Sequence, residues 1–370
     1  MATFRPSRPI ARRVWQSCQG AAILITAAGG LGACSSIGPS SVVRDRFDYV
    51  TTISDSAKQQ LLLNLLKVRY ADAPVFMDVS SVISSYSLEG DISIGGQVTP
   101  TGRSGDTFGA VGVAGRYADK PTISYQPLSG DKFAKSLMTP IPVAGILSLI
   151  QSGYPADVVL RVCVNRINGL ENSYGGPGNP RAGNPKFREL MAALRESQSS
   201  GDSGFRMKPS KEGQVVIMFL RPGAEETSSA SRRVRELLGL DAAEREFTVL
   251  PAAVAETDKE IAILTRSIFQ IMVDFASFID VPDKDVADGR VYRPQHSEEQ
   301  NRLFPALLHI RVGESLPEDA FVAIRYRNRW FWIDDRDHQS KIMLTFLMIS
   351  FSLTEQSNAQ PAPVVTIPAR

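Results

Sequence analysis

The scarcest reactive side chains in this 370-residue chain are three cysteines, Cys18, Cys34 and Cys163, and three histidines, His296, His309 and His338. Cys34 follows Leu31-Gly32-Ala33 at the end of an apolar run, a setting for modification of the sulfur. Cys163 alternates with Val162 and Val164 in a strand-like run with no histidine nearby in sequence, which fits a quiet, buried thiol better than a nucleophile. Asp334, Asp335, Asp337 and His338 stand close enough to suggest a metal or an acid-base pair. Acids at a helix start are equally explained by capping and by the helix dipole. Arg325, Arg327 and Arg329 interleave with Tyr326, Trp330 and Trp332. Alternation puts the odd-numbered arginines on one face and Tyr326 on the other, a candidate surface for a glycan or an anionic partner. The alternative is a half-buried hairpin whose aromatics pack on the last helix. His309 shares a strand face with Arg311 and is expected to be exposed.

Two further motifs carry familiar spacings. Gly201-Asp202-Ser203-Gly204 is similar to the segment around the nucleophile of trypsin-like serine proteases. That family places His and Asp before Ser, whereas all three histidines here follow Ser203, and a turn before a strand explains the tetrapeptide. Asp283-Lys284-Asp285-Val286-Ala287-Asp288-Gly289 resembles the start of a calcium loop, but the spacing slips at Ala287 and the closing glutamate is missing. A solvated loop is the simpler reading. No catalytic residue and no metal ligand is assigned, and no cofactor is expected.

The first 34 residues read as an address. Arg5, Arg8, Arg12 and Arg13 precede the run from Ala21 to Ala33, with no acid between, as in a secretory signal. The run is too short and too glycine-rich for a membrane span, which needs about 20 apolar residues. Leu31-Gly32-Ala33-Cys34 resembles the lipobox of bacterial lipoproteins. The resemblance implies cleavage before Cys34, acylation of its sulfur and amine, and anchoring in the bilayer. With Ser35 rather than Asp next, it also implies the outer membrane, facing the periplasm. Several acyl chains hold a protein stably where one does not.

Removing residues 1 to 33 lowers the basic residues from 41 to 37 against 39 acids, a net charge of −2. That near-neutral chain argues against nucleic-acid binding, which rests on clustered Lys and Arg. With Cys18 removed and Cys34 acylated, Cys163 has no disulfide partner. The remaining length allows roughly two domains with a sizeable core.

The elements that would position these residues divide the chain into a signal over 1–33, a polar tether over 34–50, a helix and β-hairpin region over 51–127, an α+β domain over 128–353 and a disordered tail over 354–370. Ser56 to Gln59 reads as a capping box opening a helix toward Arg69. From Val75 to Tyr125, period-2 alternation predicts strands, with a hairpin tip over Thr99 to Thr107. Helices are expected near Phe133 to Leu137, over Val143 to Ile150, after Asn184 and Pro185, before Gly239, and from Asp337 to Leu353. Val158 to Val164 is read as a strand, Gly204 to Lys208 and Gln214 to Leu220 as a hairpin, and Asp258 to Asp280 as the longest helix. Leu307 to Val312 and Ala320 to Ile333 supply three strands. The fold class is α+β.

Three functions remain open at this point. The first is a non-catalytic envelope lipoprotein that binds or scaffolds an envelope or export assembly. The second is an oligomeric outer-membrane pore or secretion-channel subunit, since the layout is similar to that of curli-type secretion lipoproteins. One hairpin cannot close a barrel, so that reading requires a homo-oligomeric ring. The third is an envelope hydrolase. An ordinary hairpin packed on the body is the alternative to the pore.

Overall fold

The computed structural model describes residues 39–355 apart from 84–85, 97–108, 120–121, 178–179, 211–212, 222–228 and 293–296. The chain divides into two units, Met1–Ala57 and Lys58–Arg370. Of the first, only helical residues 39–57 are described. The fold is α+β.

Helix α1, Pro39–Arg69, begins well before the expected capping box at Ser56. Proline is tolerated in a first helical turn, and no Gly or Pro follows before Arg69 to interrupt the helix. The polar tether expected over 34–50 is therefore helical from Pro39 onward. Within the second unit Leu61, Leu62, Leu65 and Leu66 are fully buried. Ala71, at φ 58°, ends the run.

Strands β1, Phe76–Ile83, β2, Tyr86–Gly96, β3, Gly109–Asp119, and β4, Thr122–Leu128, form two antiparallel pairs, β1 with β4 and β2 with β3. This is the strand region the alternation predicts; the expected tip over Thr99 to Thr107 lies outside the described residues. Helices α2, Gly130–Met138, and α3, Val143–Gln151, follow as expected. Val158 to Val164 is not a strand. Helix α4, Ala156–Cys163, occupies it, and β5 runs only from Val164 to Ile167. Pro155 stands at the helix start and Val159, Leu160, Val162 and Cys163 are buried, so a short apolar run packs equally well as a core helix.

Strand β6, Leu170–Glu171, precedes helix α5, Pro185–Ser199, which starts as predicted: the Asn184 side chain accepts from Lys186 N at 2.9 Å. Strands β7, Ser203–Ser210, and β8, Gly213–Leu220, form the expected hairpin. Helix α6, Ser229–Leu238, stops at Gly239 with φ 66°. Strand β9, Glu246–Leu250, is an element the sequence reading did not include. The expected long helix over Asp258 to Asp280 is two elements, strand β10, Glu260–Thr265, and helix α7, Ile268–Ser277. Ser267 and Gln270 close a reciprocal capping box at the break. Strands β6-β5-β10-β9-β8-β7 make one sheet in that order, all antiparallel except β9 with β10.

Helices α8, Asp283–Ala287, and α9, Glu298–Leu303, lead into a second sheet. It contains β11, Arg311–Gly313, β12, Ala320–Tyr326, and β13, Arg329–Asp334, with β13 central. Leu307 to Ile310, expected in the first of these strands, precede it. Helix α10, His338–Glu355, closes the body. The tail over 354–370 lies outside the described residues from 356 on.

Arg266, between β10 and α7, has a side chain 1% exposed. Its guanidinium meets Asp274 at 3.0 Å and donates to Asn165 Oδ1 at 3.3 Å, to Val162 O at 3.4 Å and to Ser173 O. It also lies 5.6 Å from the Tyr174 ring centre. Asp274 in turn accepts from Gly175 N at 2.7 Å. One side chain thus ties α4, β5, the loop after β6, and α7. Arg266→Met leaves Asp274 without its cation, and we expect a loss of about 3–5 kcal/mol in urea denaturation. The double variant Arg266→Met/Asp274→Leu should lose clearly less.

Candidate functional site

Two surfaces qualify as functional, and both are built on strand pairs. The first is the hairpin β1 to β4. Its register places Met77 opposite Pro127, Val79 opposite Tyr125, and Val82 opposite Ile123. Ser80 is an extra residue between Val79 and Ser81, a β-bulge. Because successive residues face opposite ways, a one-residue slip would turn Val82 away from Val79. The bulge keeps it on their face. Val75 (48%), Met77 (44%), Ile123 (39%) and Tyr125 (55%) are exposed along this face. The opposite face carries buried Phe76, whose ring centre is 4.9 Å from that of Phe351.

Further along, the register pairs Leu88 with Tyr117, Ile92 with Val113, and Ile94 with Val111. Alternating with these are Ser87 with Ala118, Glu89 with Arg116, Asp91 with Ala114, and Ser93 with Gly112. The pair sum is the same from Ser81/Ser124 to Ile83/Thr122 as from Tyr86/Asp119 to Gly96/Gly109, so the apolar positions of β2 and β3 share the parity of Val82 and Ile123. Along β2 and β3 the first set of positions is mainly apolar, with Gly90 opposite Gly115 among them, and the second mainly small or polar.

Helix α1 holds the base of this hairpin through two side-chain amides. Asn64 donates to Val75 O and accepts from Val75 N, both at 2.8 Å. Gln60 does the same for Met77, at 3.2 and 2.7 Å. Four helical residues advance about 6 Å and two strand residues about 6.6 Å, so the spacings match. The amides occupy an edge that would otherwise present bare N–H and C=O groups.

The second surface is the outer face of the β11-β13-β12 sheet. Arg325 pairs with Trp330 and Ala323 with Trp332 across β12 and β13, while Trp332 and Trp330 face Arg311 and Gly313 of β11. The other face, with Val322, Phe331 and Ile333 buried, belongs to the core. The expected grouping of the arginines is therefore corrected. Arg327 and Asn328 form the turn, at φ 47° and 64°, and reversal through a two-residue turn exchanges the parity of the faces. Arg325 shares a face with Trp330 and Trp332, and Arg329 lies opposite Tyr326.

Tyr326 and Arg327 serve the body instead. The Tyr326 hydroxyl donates to Asp72, Arg327 meets Asp72 at 3.3 Å, and the Arg327 guanidinium lies 4.7 Å from the Tyr70 ring centre. Tyr70 donates to Asp285 Oδ2 at 2.7 Å. These contacts fasten the end of α1 to the hairpin turn and to α8.

No family model, curated protein or solved structure matches the chain.

The remaining candidates have structural duties. Asp337 accepts from Ser340 N at 3.0 Å and from its hydroxyl at 2.7 Å, capping α10 as predicted, and lies 3.3 Å from His309 Nδ1. Asp334 pairs with Arg311 at 3.0 Å and Asp335 with Lys341 at 2.7 Å. His309 is exposed. Asp283 to Ala287 are helical, with Arg290 3.2 Å from Asp288. Asp202 receives Arg221 N at 2.8 Å and the Ser200 hydroxyl at 2.8 Å, in the turn joining α5 to β7. Among the described residues no group of three potential metal ligands converges. Cys163 is fully buried, and burial pushes its thiol up to about 12 against the weaker opposing effect of Arg266. An open groove of about 570 Å³ contains Ser152 and His338, but the Ser152 hydroxyl already donates to Leu149 O at 2.8 Å. Cys34, Leu31, Gly32, Ala33 and His296 lie outside the described residues.

Sequence reasoning missed Gln60, Asn64 and the Ser80 bulge. The i, i+4 amides on an otherwise leucine-rich face were the available signal for the first two; nothing local marks the bulge.

Two outcomes follow from these duties. Asn64→Leu strips Val75 of both partners, at about 1–3 kcal/mol per unmet group, and limited proteolysis should then cut residues 75–128 earlier than in the parent chain. Burial alone would raise the Asp337 pKa, but the Ser340 and His309 hydrogen bonds hold it below its ordinary 3.8. A carboxylate lowered by folding contributes stability that is complete above the unfolded pKa and lost as pH falls through the folded one. Asp337→Ala should therefore cost about 1 kcal/mol at pH 7 and little at pH 2, measured by urea denaturation at both.

Proposed function

We propose that this chain is a lipid-anchored, non-catalytic component of a bacterial envelope assembly, in which several copies insert β2 and β3 into the outer membrane as staves of one barrel. The observation that carries the reading is the alternation of apolar and polar pairs along β2 and β3, interrupted on the apolar face by Gly90 opposite Gly115. Eleven residues in each of β2 and β3 extend about 36 Å, and at a tilt of about 45° they cross an apolar band of about 25 Å. Transmembrane barrels alternate apolar residues toward lipid with polar residues toward the lumen, the pattern of Leu88, Ile92 and Ile94 against Ser87, Asp91 and Ser93. Anchoring rests on the lipobox resemblance at Cys34, and the body scaffolds the ring in the periplasm.

Among the described residues no helix is long and apolar enough to cross a membrane. That has no bearing on a barrel, whose strands are satisfied between neighbours and not within one segment.

The tests separate anchor from pore. Cys34→Ser should abolish incorporation of labelled palmitate; a parent chain that takes up no palmitate would remove the anchor. In detergent the acylated protein should run as a symmetric ring and cause leakage of liposomes. Ile92→Asp places a charge toward lipid, at about 2–4 kcal/mol per copy, and should stop leakage, while the neighbouring Ser93→Asp should not. A stable monomer, with the hairpin open to protease in membranes, would sink the pore and leave the anchored scaffold.

A further inference from the structure

The outer face of the β11-β13-β12 sheet is not absorbed by the hairpin or the anchor. Its register positions are Arg311, Gly313, Ala323, Arg325, Trp330, Trp332 and Asp334. No aliphatic side chain larger than alanine is present among them. Neither tryptophan packs against the hydrophobic core, although both lie on strands whose other face does. Trp330 and Trp332 stand two residues apart, about 6.6 Å along the strand. They are bordered by Gly313 and Ala323, which have too little side chain to cover an indole. A methyl at Gly313 would meet the Trp332 ring at 3.1 Å, so glycine there lets that ring lie against the backbone.

The charges around the indoles are unequal. Arg311 meets Asp334 at 3.0 Å and Arg329 meets Glu314 at 2.6 Å. Arg325, beside Trp330, is exposed, and its side chain makes no hydrogen bond or ion pair among the described residues. The face therefore offers the exposed parts of two neighbouring half-buried indoles, one unneutralised guanidinium, and an Arg-Asp pair able to both donate and accept hydrogen bonds. A protein-binding patch of ordinary kind would add aliphatic residues at its centre. A bilayer-binding face would carry an excess of cations, whereas acids here match all but one.

We propose that this face binds an acidic polysaccharide. Apolar faces of sugar rings stack on Trp330 and Trp332, a sugar carboxylate pairs with Arg325, and hydroxyls bond to Arg311 and Asp334. A guanidinium presents a planar fork suited to a carboxylate, and the flanking glycine and alanine leave room for the strand to lie along β13. The site is independent of pore formation, since none of its residues belongs to the hairpin.

The chain supplies its own reporter, because its three tryptophans are Trp15, Trp330 and Trp332. Cleavage before Cys34 removes Trp15, so all indole emission of the acylated chain comes from the proposed site. Titrating the detergent-solubilised, acylated chain with polygalacturonate should shift that emission saturably, and dextran, which has no charge, should bind at least tenfold more weakly. Arg325→Gln, at an exposed position where folding is not at stake, should weaken polygalacturonate about tenfold. Trp330→Ala with Trp332→Ala should abolish retention on immobilised polygalacturonate while circular dichroism is unchanged. No shift, or equal binding of dextran and of Arg325→Gln, would overturn the proposal. So would a shift produced by phosphatidylglycerol vesicles and not by the polysaccharide. An emission that moves with protein concentration alone would assign the face to contact between copies and equally overturn it.

Discussion

The arrangement of the body depends on placing one guanidinium where water does not reach. Arg266 follows β10 and precedes α7, and its donors go to α4, to β5, to the loop after β6, and to Asp274 on α7. A charge this deep is tolerated only with its hydrogen bonds met, and three of its four partners lie more than 90 residues away in sequence. Any packing that moves one of them strands the charge. The pairing of β5 with β10 and the seating of α7 are thereby linked to a single geometry. Aliphatic residues of similar volume could supply comparable stability, but they would hold these elements less uniquely. Arg181, whose Nη2 donates to the same Asn165 Oδ1 at 2.9 Å, extends the arrangement to the far end of the loop.

That residue also explains where the sequence misled. Over Asp258 to Asp280, Ile261, Leu264, Ile268 and Ile271 satisfy a helical repeat, so a strand and a helix read as one element. At helical spacing Arg266 would fall on the face opposite these residues and so raises no objection to a helix, but Ser267 with Gln270 spells a capping box. A cap inside a supposed continuous helix is the mark of a boundary. The Val158 to Val164 run was ambiguous for a different reason. A run of that length whose one polar residue is Arg161 has no polar face to reveal its period, and Pro155, which starts the helix, lies outside the run. What was legible was local. Asn184 with Pro185, Gly239 and Asp337 act within one turn of their own positions, so no knowledge of the rest of the chain was needed. Strand β9 was not read although Phe247 and Val249 alternate, because five residues are too few to stand out.

The candidate surfaces divide along the same line. Alternation between Val75 and Tyr125 belongs to the strands themselves and was readable. The Ser80 bulge, which corrects the register between the base and the distal half, depends on what lies across the ladder. In the Arg325 to Trp332 segment the residue types were noted but their grouping was not. A two-residue turn pairs 325 with 330 and 326 with 329, so odd positions of one strand share a face with even positions of the next. Parity counted along the chain fails at every such turn. Tyr326 and Arg327 were drawn into the body by Tyr70 and Asp72, more than 250 residues away from Asp72 in sequence, a separation that no local pattern reports.

The hairpin poses an energetic problem that its own pairing cannot solve. Two strands alone are marginal in water; the base of this hairpin carries exposed Val75, Met77, Ile123 and Tyr125 on one face, and among the described residues its outer edges pair with no other strand. The amides of Gln60 and Asn64 cover the edge only at Val75 and Met77. Lipid would relieve the apolar face but aggravate the edges, since each unmet backbone group in hydrocarbon costs several kcal/mol. With eleven residues to a strand, that penalty outweighs what the apolar side chains gain at about 25 cal/mol per Å². A second copy would relieve the edges but leave the face wet. Only both together would satisfy the hairpin, so in the proposed pore pairing between copies would accompany or precede insertion. Head-to-tail pairing of β1 and β2 in one copy with β4 and β3 in the next is antiparallel, leaves the same two edges free at the ends, and ends only when the ring closes.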